Sequence, residues 1–290
     1  MPDYEAALVG PVARATEALA RLDERLARSP VREGFIERQH FADAAAALWL
    51  EGELVISRTS SCTTPTWRFA SRPTSSPARM PSCASAGTDV PARTPRSDER
   101  PDLIYDLDWN EEERLTEWQT VFADTREWPL VMRAAILLDA WSDIEVLQHG
   151  IWLGQLLVAA LLRQEGISAN HLASLHLGAK NIPRERRRAR NRSDRLLASL
   201  DGIHEAALVG LKEHDRLVMA KSQMERRLKQ RRTSSKLADL VEFVLSRPIV
   251  STGMIQEVLK VSKQGALNLV GELGLREMTG RGRFRAWGIV

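Results

Sequence analysis

Cysteine is almost missing from this chain of 290 residues. The two present, Cys62 and Cys83, are too few for a disulfide framework or a cysteine-built metal site. Long apolar runs are missing as well. The longest, Ile151 to Leu162, is interrupted by Gly154 and Gln155 and is too short to cross a bilayer. Met1–Arg21 is alanine-rich and amphipathic rather than basic and then apolar, so it does not read as a secretory signal. These absences point to a cytoplasmic protein with no membrane partner.

Catalytic signatures are also lacking. The six histidines are His40, His149, His171, His176, His204 and His214. They show no HExxH or comparable ligand spacing, and His171 and His176, five apart, share a helix face poorly. There is no Walker-type loop, no dinucleotide fingerprint and no GxSxG nucleophile. The histidines are read as structural, and no catalytic residue, metal or cofactor is expected.

The charge is small in sum and uneven in place. The net formal charge is +3, yet Arg231–Val290 holds ten Lys/Arg against five Asp/Glu, and Pro101–Gly150 holds twelve acids against three bases. A basic end on an acidic body suits a protein that meets nucleic acid at one end. Two further basic runs, Lys180–Arg195 and Lys221–Arg232, read as a solvated helix face facing the acidic segment and as a candidate phosphate contact, respectively.

Ser57–Ser97 has an unusual composition. Of its 41 residues 22 are Ser, Thr or Pro, and Leu, Ile, Lys and His are absent. The plain reading is a linker without a packed core. A sharper one comes from the genetic code. Every residue from Ser57 to Thr88 except Phe69 and Met80 has a codon with C or G at its centre, as happens when a GC-rich gene is read one base out of frame. A frameshift near Ile56, restored between Asp89 and Asp102, is therefore expected.

The rest of the body reads as helical. Ala7, Leu8, Val12, Ala15, Leu19, Leu22 and Leu26 form a helical stripe over Tyr4–Arg28. Further helices are expected over Phe35–Leu54, from Asn110 through Phe122, over Leu130–Val146, Ile151–Gln164, Arg184–Leu200 and Ile203–Arg232. Trp109, Trp118, Trp128, Trp141 and Trp152 are expected in the core rather than around a ligand. No strand is expected before Leu275.

The C-terminal stretch carries the most specific signal. An apolar-periodic helix over Lys236–Leu245 ends before Pro248. Thr252 is the expected cap of a short helix with Met254, Ile255, Val258 and Leu259. Lys260-Val261-Ser262 forms a turn, and Ser262 caps a third helix whose Ala266, Leu269, Val270 and Leu273 face inward. Gly274 stops it. Strands over Leu275–Thr279 and Phe284–Trp287 flank the basic tip Gly280-Arg281-Gly282-Arg283. This is the pattern of a winged helix-turn-helix carrying its own core. Lys263, Gln264 and Asn268 are the candidate base readers, because Gln and Asn pair bidentately with adenine and Lys reaches guanine. Ser262, Arg281, Arg283 and Arg285 are the candidate phosphate or minor-groove contacts.

Several motifs carry a resemblance. They are Asp139-Ala140-Trp141, Leu147-Gln148-His149-Gly150, Trp152-Leu153-Gly154, Leu175-His176-Leu177-Gly178, Ile182-Pro183 and Gly210 through Leu217, with almost all of Ser234–Val290. Across residues 1–55 and 101–290 the chain resembles a bacterial family, often plasmid-borne, with a domain of unknown function before a C-terminal helix-turn-helix. The resemblance implies DNA binding and no defined chemistry. Glu145–Leu157 is more distantly similar to the signature region of Fic-domain proteins. It keeps the apolar helix but lacks the His-Pro-Phe, the metal-binding acid and the Gly-Asn-Gly anion cradle, which implies a nucleotidyltransferase scaffold without activity.

The expected architecture is thus mainly α, a helical body followed by a small α+β winged helix-turn-helix. Its parts are an N-terminal helical segment (1–55), the anomalous segment (56–100), a helical domain (101–233) and the DNA-binding domain (234–290). The expected function is transcriptional regulation through double-stranded DNA, with a homodimer left open. A protein–protein interaction module is the alternative reading of the winged helix.

Overall fold

Helical periodicity dominates the sequence, and helices dominate the computed structural model, which describes residues 2–52, 109–229, 235–279 and 285–289. The chain divides into two units. Everything below concerns the one made of Met1–Ser61 and Asn110–Val290. The anomalous segment, both cysteines, Arg231, Arg232 and the tip Gly280–Phe284 lie outside the described residues.

The body begins with α1 (Pro2–Ala27) and α2 (Arg32–Leu50). Leu8, Ala15, Leu19, Leu22 and Leu26 are buried along one side of α1, while Ala7 and Val12 of the expected stripe are exposed and half-buried. Next comes α3 (Glu111–Asp124). The Asn110 side chain caps it, accepting from the Glu113 N–H at 3.2 Å. Glu111, Glu112 and Glu113 then lie at the positive end of the helix dipole. Pro129 precedes α4 (Leu130–Ile144), and α5 (Leu153–Gln164) follows. Trp118 and Trp141 meet edge to face at 5.3 Å. Their indole N–H groups donate to the carbonyls of Leu137 and Ile151, so both are core residues. Trp128 and Trp152, expected in the core as well, are instead exposed.

Two features differ from the sequence expectation. The helices foreseen over 184–200 and 203–232 are instead a single turn, α7 (Arg184–Arg187), and one long helix, α8 (Arg192–Lys229). Leu196, Leu200, Ile203, Ala206 and Ala207 are all buried on either side of Gly202. Burying that continuous stripe outweighs the glycine penalty of about 1 kcal/mol within a helix. A further short helix, α6 (Leu175–Lys180), has too few residues to show a period. It is pinned from α2: Asp43 accepts from the Leu177 N–H at 2.9 Å and meets His176 Nδ1 at 2.8 Å.

The C-terminal part contains α9 (Ser235–Leu245), β1 (Val250–Ser251), α10 (Thr252–Leu259), α11 (Lys263–Leu273), β2 (Arg276–Glu277) and β3 (Ala286–Gly288). The sheet order is β1-β3-β2 and both pairings are antiparallel, with Val250 opposite Trp287 and Glu277 opposite Trp287. The two foreseen strands are present but shorter. β1 was not foreseen, because two residues offer no alternation to detect.

The described residues pack around two apolar clusters. The first joins α1, α3, α4, α5 and the first half of α8 through residues such as Leu137, Trp141, Leu162 and Leu200. The second joins Leu237, Leu240, Val244, Ile255, Ala266, Val270, Leu273 and Trp287 of the C-terminal part with Leu22, Leu26, Phe35, Leu211, Leu217 and Met224 of the body. The core of the helix-turn-helix is therefore shared rather than its own. A segment of this size buries only a modest apolar area alone, and α1, α2 and α8 supply the rest.

Candidate nucleic-acid interface

The helix-turn-helix is built from its caps inward. Ser251, not Thr252, caps α10: its backbone is extended and its hydroxyl accepts from the Met254 N–H at 3.3 Å. Thr252 already has helical geometry as the first residue of α10, which a cap cannot have. Lys260 then enters the left-handed region, with φ 50°, and turns the chain. Lys236 donates from Nζ to the carbonyls of Leu259 and Lys260 at 2.9 and 3.2 Å, satisfying acceptors that the end of α10 leaves open. Val261 packs against the second core. Ser262 caps α11, its Oγ accepting from the Gly265 N–H at 3.1 Å. Gly274 closes that helix with φ 62°, a conformation that suits glycine, and the Leu275 N–H reaches back to the Val270 carbonyl at 3.3 Å.

This arrangement sorts the side chains of α11 by face. Ala266, Leu269, Val270 and Leu273 are buried. Lys263, Gln264, Asn268 and Gly271 are exposed. Residues 264, 268 and 271 recur at the spacing that puts them on one helix face. The structure thus brings the three sequence-derived base readers together on the solvent side of one helix. Gln264 Nε2 donates to Asn268 Oδ1 at 3.0 Å. Leu267 leans on the core and is half-buried. Ser262 is exposed, and its oxygen is engaged in the cap, so toward a phosphate it has only its O–H to give.

Arg285, a candidate phosphate or minor-groove contact, has a partner within the protein. Its guanidinium binds Glu277 at 3.0 and 2.7 Å and lies 5.5 Å from the Trp287 ring centre. The hydrogen bond from Arg285 pulls the Glu277 carboxyl below its usual range. Such a solvent-facing pair is weak. Arg281 and Arg283 lie outside the described residues.

Three body arginines hold this element from behind: Arg38 and Arg216, for which no site role was expected, and Arg227, which belongs to the second basic run expected to contact phosphate and here meets a protein carbonyl. Arg38 of α2 is buried. Its Nη2 donates to the Val244 and Arg247 carbonyls at 2.9 and 2.5 Å, and its Nε lies 3.5 Å from the Leu245 carbonyl. Burial lowers its pKa, and the charge of Glu213 opposes that shift. The end of α9 carries the negative end of its dipole, so a cation there is favourable. Arg227 of α8 donates to the Leu273 carbonyl at the end of α11. Arg216 donates to the Ile289 carbonyl at 2.8 Å and is paired with Glu213. One turn before Arg38, Gly34 lies so close to the Leu245 carbonyl that a Cβ there would collide with backbone. No sequence signal marks these contacts, because the partners are some 50 to 200 positions away.

The other candidate sites resolve into packing. His171 meets Asp23 at 3.2 Å, His176 meets Asp43 and the Trp152 carbonyl, and His214 meets Ser29 at 2.9 Å. Each ties one segment of the body to another. Arg192 and Arg195 of the first basic run pair with Asp139, and Arg195 also with Asp143. In the second run Lys221 pairs with Glu242. The stretch with distant Fic similarity begins just past α4 and spans the loop with His149 and the first turn of α5. Among the described residues no helix is long and apolar enough to cross a membrane.

Comparison with known proteins agrees with this geometry. Residues 103–229 match the family described as "Protein of unknown function (DUF1612)", and residues 237–290 match an HTH DNA binding domain. The chain is 40% identical to "Uncharacterized protein y4cF" of Sinorhizobium fredii (strain NBRC 101917 / NGR234), an alignment covering 98% of this chain and 97% of that protein. It runs over 369 positions, more than the 290 residues here, so part of the relative stands opposite gaps. The chain belongs to the DUF1612 family and ends in a helix-turn-helix DNA-binding domain.

Proposed function

We propose that this protein is a cytoplasmic transcriptional regulator that binds double-stranded DNA through α11 and a wing between β2 and β3. The observation that carries the reading is the face of α11. Lys263, Gln264 and Asn268 stand together in solvent while the opposite side of the same helix is buried. A capped third helix with a polar outer face is what a major groove accepts. The antiparallel pair β2 and β3 leads into Gly280–Phe284, where Arg281 and Arg283 are proposed to meet phosphate or the minor groove. Arg285 joins them by leaving Glu277.

In this reading the protein binds rather than catalyses, and the helical body sets how the reading helix is presented. A symmetric operator read by a homodimer belongs to the same proposal, since paired half-sites mirror a two-fold protein. The frameshift proposed for residues 56–100 is separate and is decided by sequencing the gene.

The test is a titration of the full chain against duplex genomic fragments at several salt concentrations, beside the Arg281→Ala/Arg283→Ala double variant. Binding is expected to weaken linearly in log–log form as salt rises. The double variant should bind less tightly, with a slope shallower by about 2. Unchanged affinity in the variant removes the wing from the reading, and absence of duplex binding at low salt removes the reading itself. A reporter fused to a selected binding site then separates regulation from binding alone.

A further inference from the structure

Gln264 and Asn268 stand one helical turn apart on the exposed face of α11 and are hydrogen-bonded to each other, Nε2 to Oδ1, at 3.0 Å. Each amide spends one group on its neighbour. A carbonyl oxygen remains on Gln264 and an NH2 on Asn268, held side by side. Exchanging the roles of the two amides would leave the same pattern, one acceptor beside one donor. Pairing also limits the rotamer freedom that a long polar side chain gives up on contact with a partner.

The major-groove edges of the bases select among themselves against such a pair. Guanine offers two acceptors, cytosine a donor, thymine an acceptor and a methyl group. Adenine alone carries a donor, N6–H, next to an acceptor, N7. It satisfies the Gln264 carbonyl and the Asn268 amide at once, whereas guanine would set an acceptor against the Gln264 carbonyl. Lys263, exposed at the first position of α11, has only donors and suits a neighbouring guanine or phosphate.

Resting on the DNA-binding reading above, we infer that Gln264 and Asn268 form one composite reader of a single adenine rather than two independent base contacts. The pair is then the specificity determinant of α11, and each residue positions the other.

The experiment is selection of bound duplexes from a randomised library, using the full chain, Gln264→Ala, Asn268→Ala and the double variant. The full chain is expected to enrich adenine at one position. Each single variant should lose that preference by about tenfold at that same position, and the double variant should lose no more than either single. Unchanged thermal unfolding checks that these solvent-facing changes leave the fold intact. Loss of preference at two different positions, or additive losses, would overturn the inference. So would duplex binding without any adenine preference, which leaves the DNA-binding reading standing. Failure to retain any duplex would overturn both.

Discussion

The two cores of this protein are fastened by different contacts. In the body a buried carboxylate collects cations: Asp139, almost fully buried, takes Arg192 and Arg195, while Arg133 donates to the Phe122 carbonyl within the same core. Where the body meets the helix-turn-helix, Lys221 and Arg247 pair with Glu242 and Glu37, and three further cations meet backbone at the ends of elements. Arg38, Arg227 and Arg216 donate to the carbonyls of Val244, Leu273 and Ile289. A carboxylate partner can follow a side chain through small shifts. A helix-end carbonyl is fixed by its whole helix. The second arrangement is therefore satisfied only when α9, α11 and the C-terminal strand stand in one place against α2 and α8. It makes the DNA-binding element part of the body rather than an appendage to it.

Phe35 gives the strongest way to break that junction. It is fully buried in the second core and makes edge contacts with the rings of His171 and His214. Phe35→Ala is expected to cost about 3–5 kcal/mol. Chemical denaturation of the full chain should show the loss, and near-ultraviolet signals from Trp287 and Trp141 should move together. Loss confined to Trp287 would mean that the two cores are energetically separate.

Gly34→Ala comes next. The added methyl meets the Leu245 carbonyl, a backbone group that cannot rotate away. Forcing α2 from α9 is expected to cost about 1–3 kcal/mol, read as a lower unfolding midpoint. A neutral result would show that the close approach tolerates a methyl group.

The smallest effect is a pH dependence that belongs to the body. Burial lowers the His171 pKa, outweighing the hydrogen bond and charge of Asp23, which raise it; Arg163 and His40 add to the lowering. With the folded value below the unfolded one of about 6.5, the unfolded chain takes up the proton first. Stability is full above about pH 6.5 and falls as the pH drops below it. Thermal midpoints between about pH 7.5 and 5 should show this decline. His171→Gln should flatten it, and a curve with the wild-type slope in that variant would remove His171 as its source.

Much of the fold is legible in the sequence where local chemistry decides it. The stripe of α1, the Asn110 cap, the Ser262 cap and the Gly274 stop need only neighbours within a turn or two. Legibility fails where distance or brevity intervenes. α6 and β1 are too short for a period. Gly202 reads as a break until the buried stripe on both sides is seen. The cap of α10 shifted from Thr252 to Ser251 because both residues can cap and only the backbone tells them apart. The exposed trio Lys263, Gln264 and Asn268 was readable from helical spacing, while their mutual hydrogen bond was not. The contacts of the arginines behind them were not legible: Arg227 reads only as part of a basic run, and nothing local to it or to Arg38 announces a carbonyl on a distant helix.

The most direct test of the account is the duplex-DNA affinity of Arg38→Met, measured by fluorescence anisotropy at a temperature where circular dichroism shows the variant folded. Arg38 lies behind α9 and none of its partners belongs to the reading face of α11. Its removal leaves helix-end carbonyls without a donor, at a cost of about 1–3 kcal/mol for a buried group. The account predicts DNA binding weakened by about tenfold, equivalent to roughly 1.4 kcal/mol, in a folded protein whose proposed base readers are intact. Wild-type affinity in that folded variant would contradict it and return the helix-turn-helix to the status of an independent module.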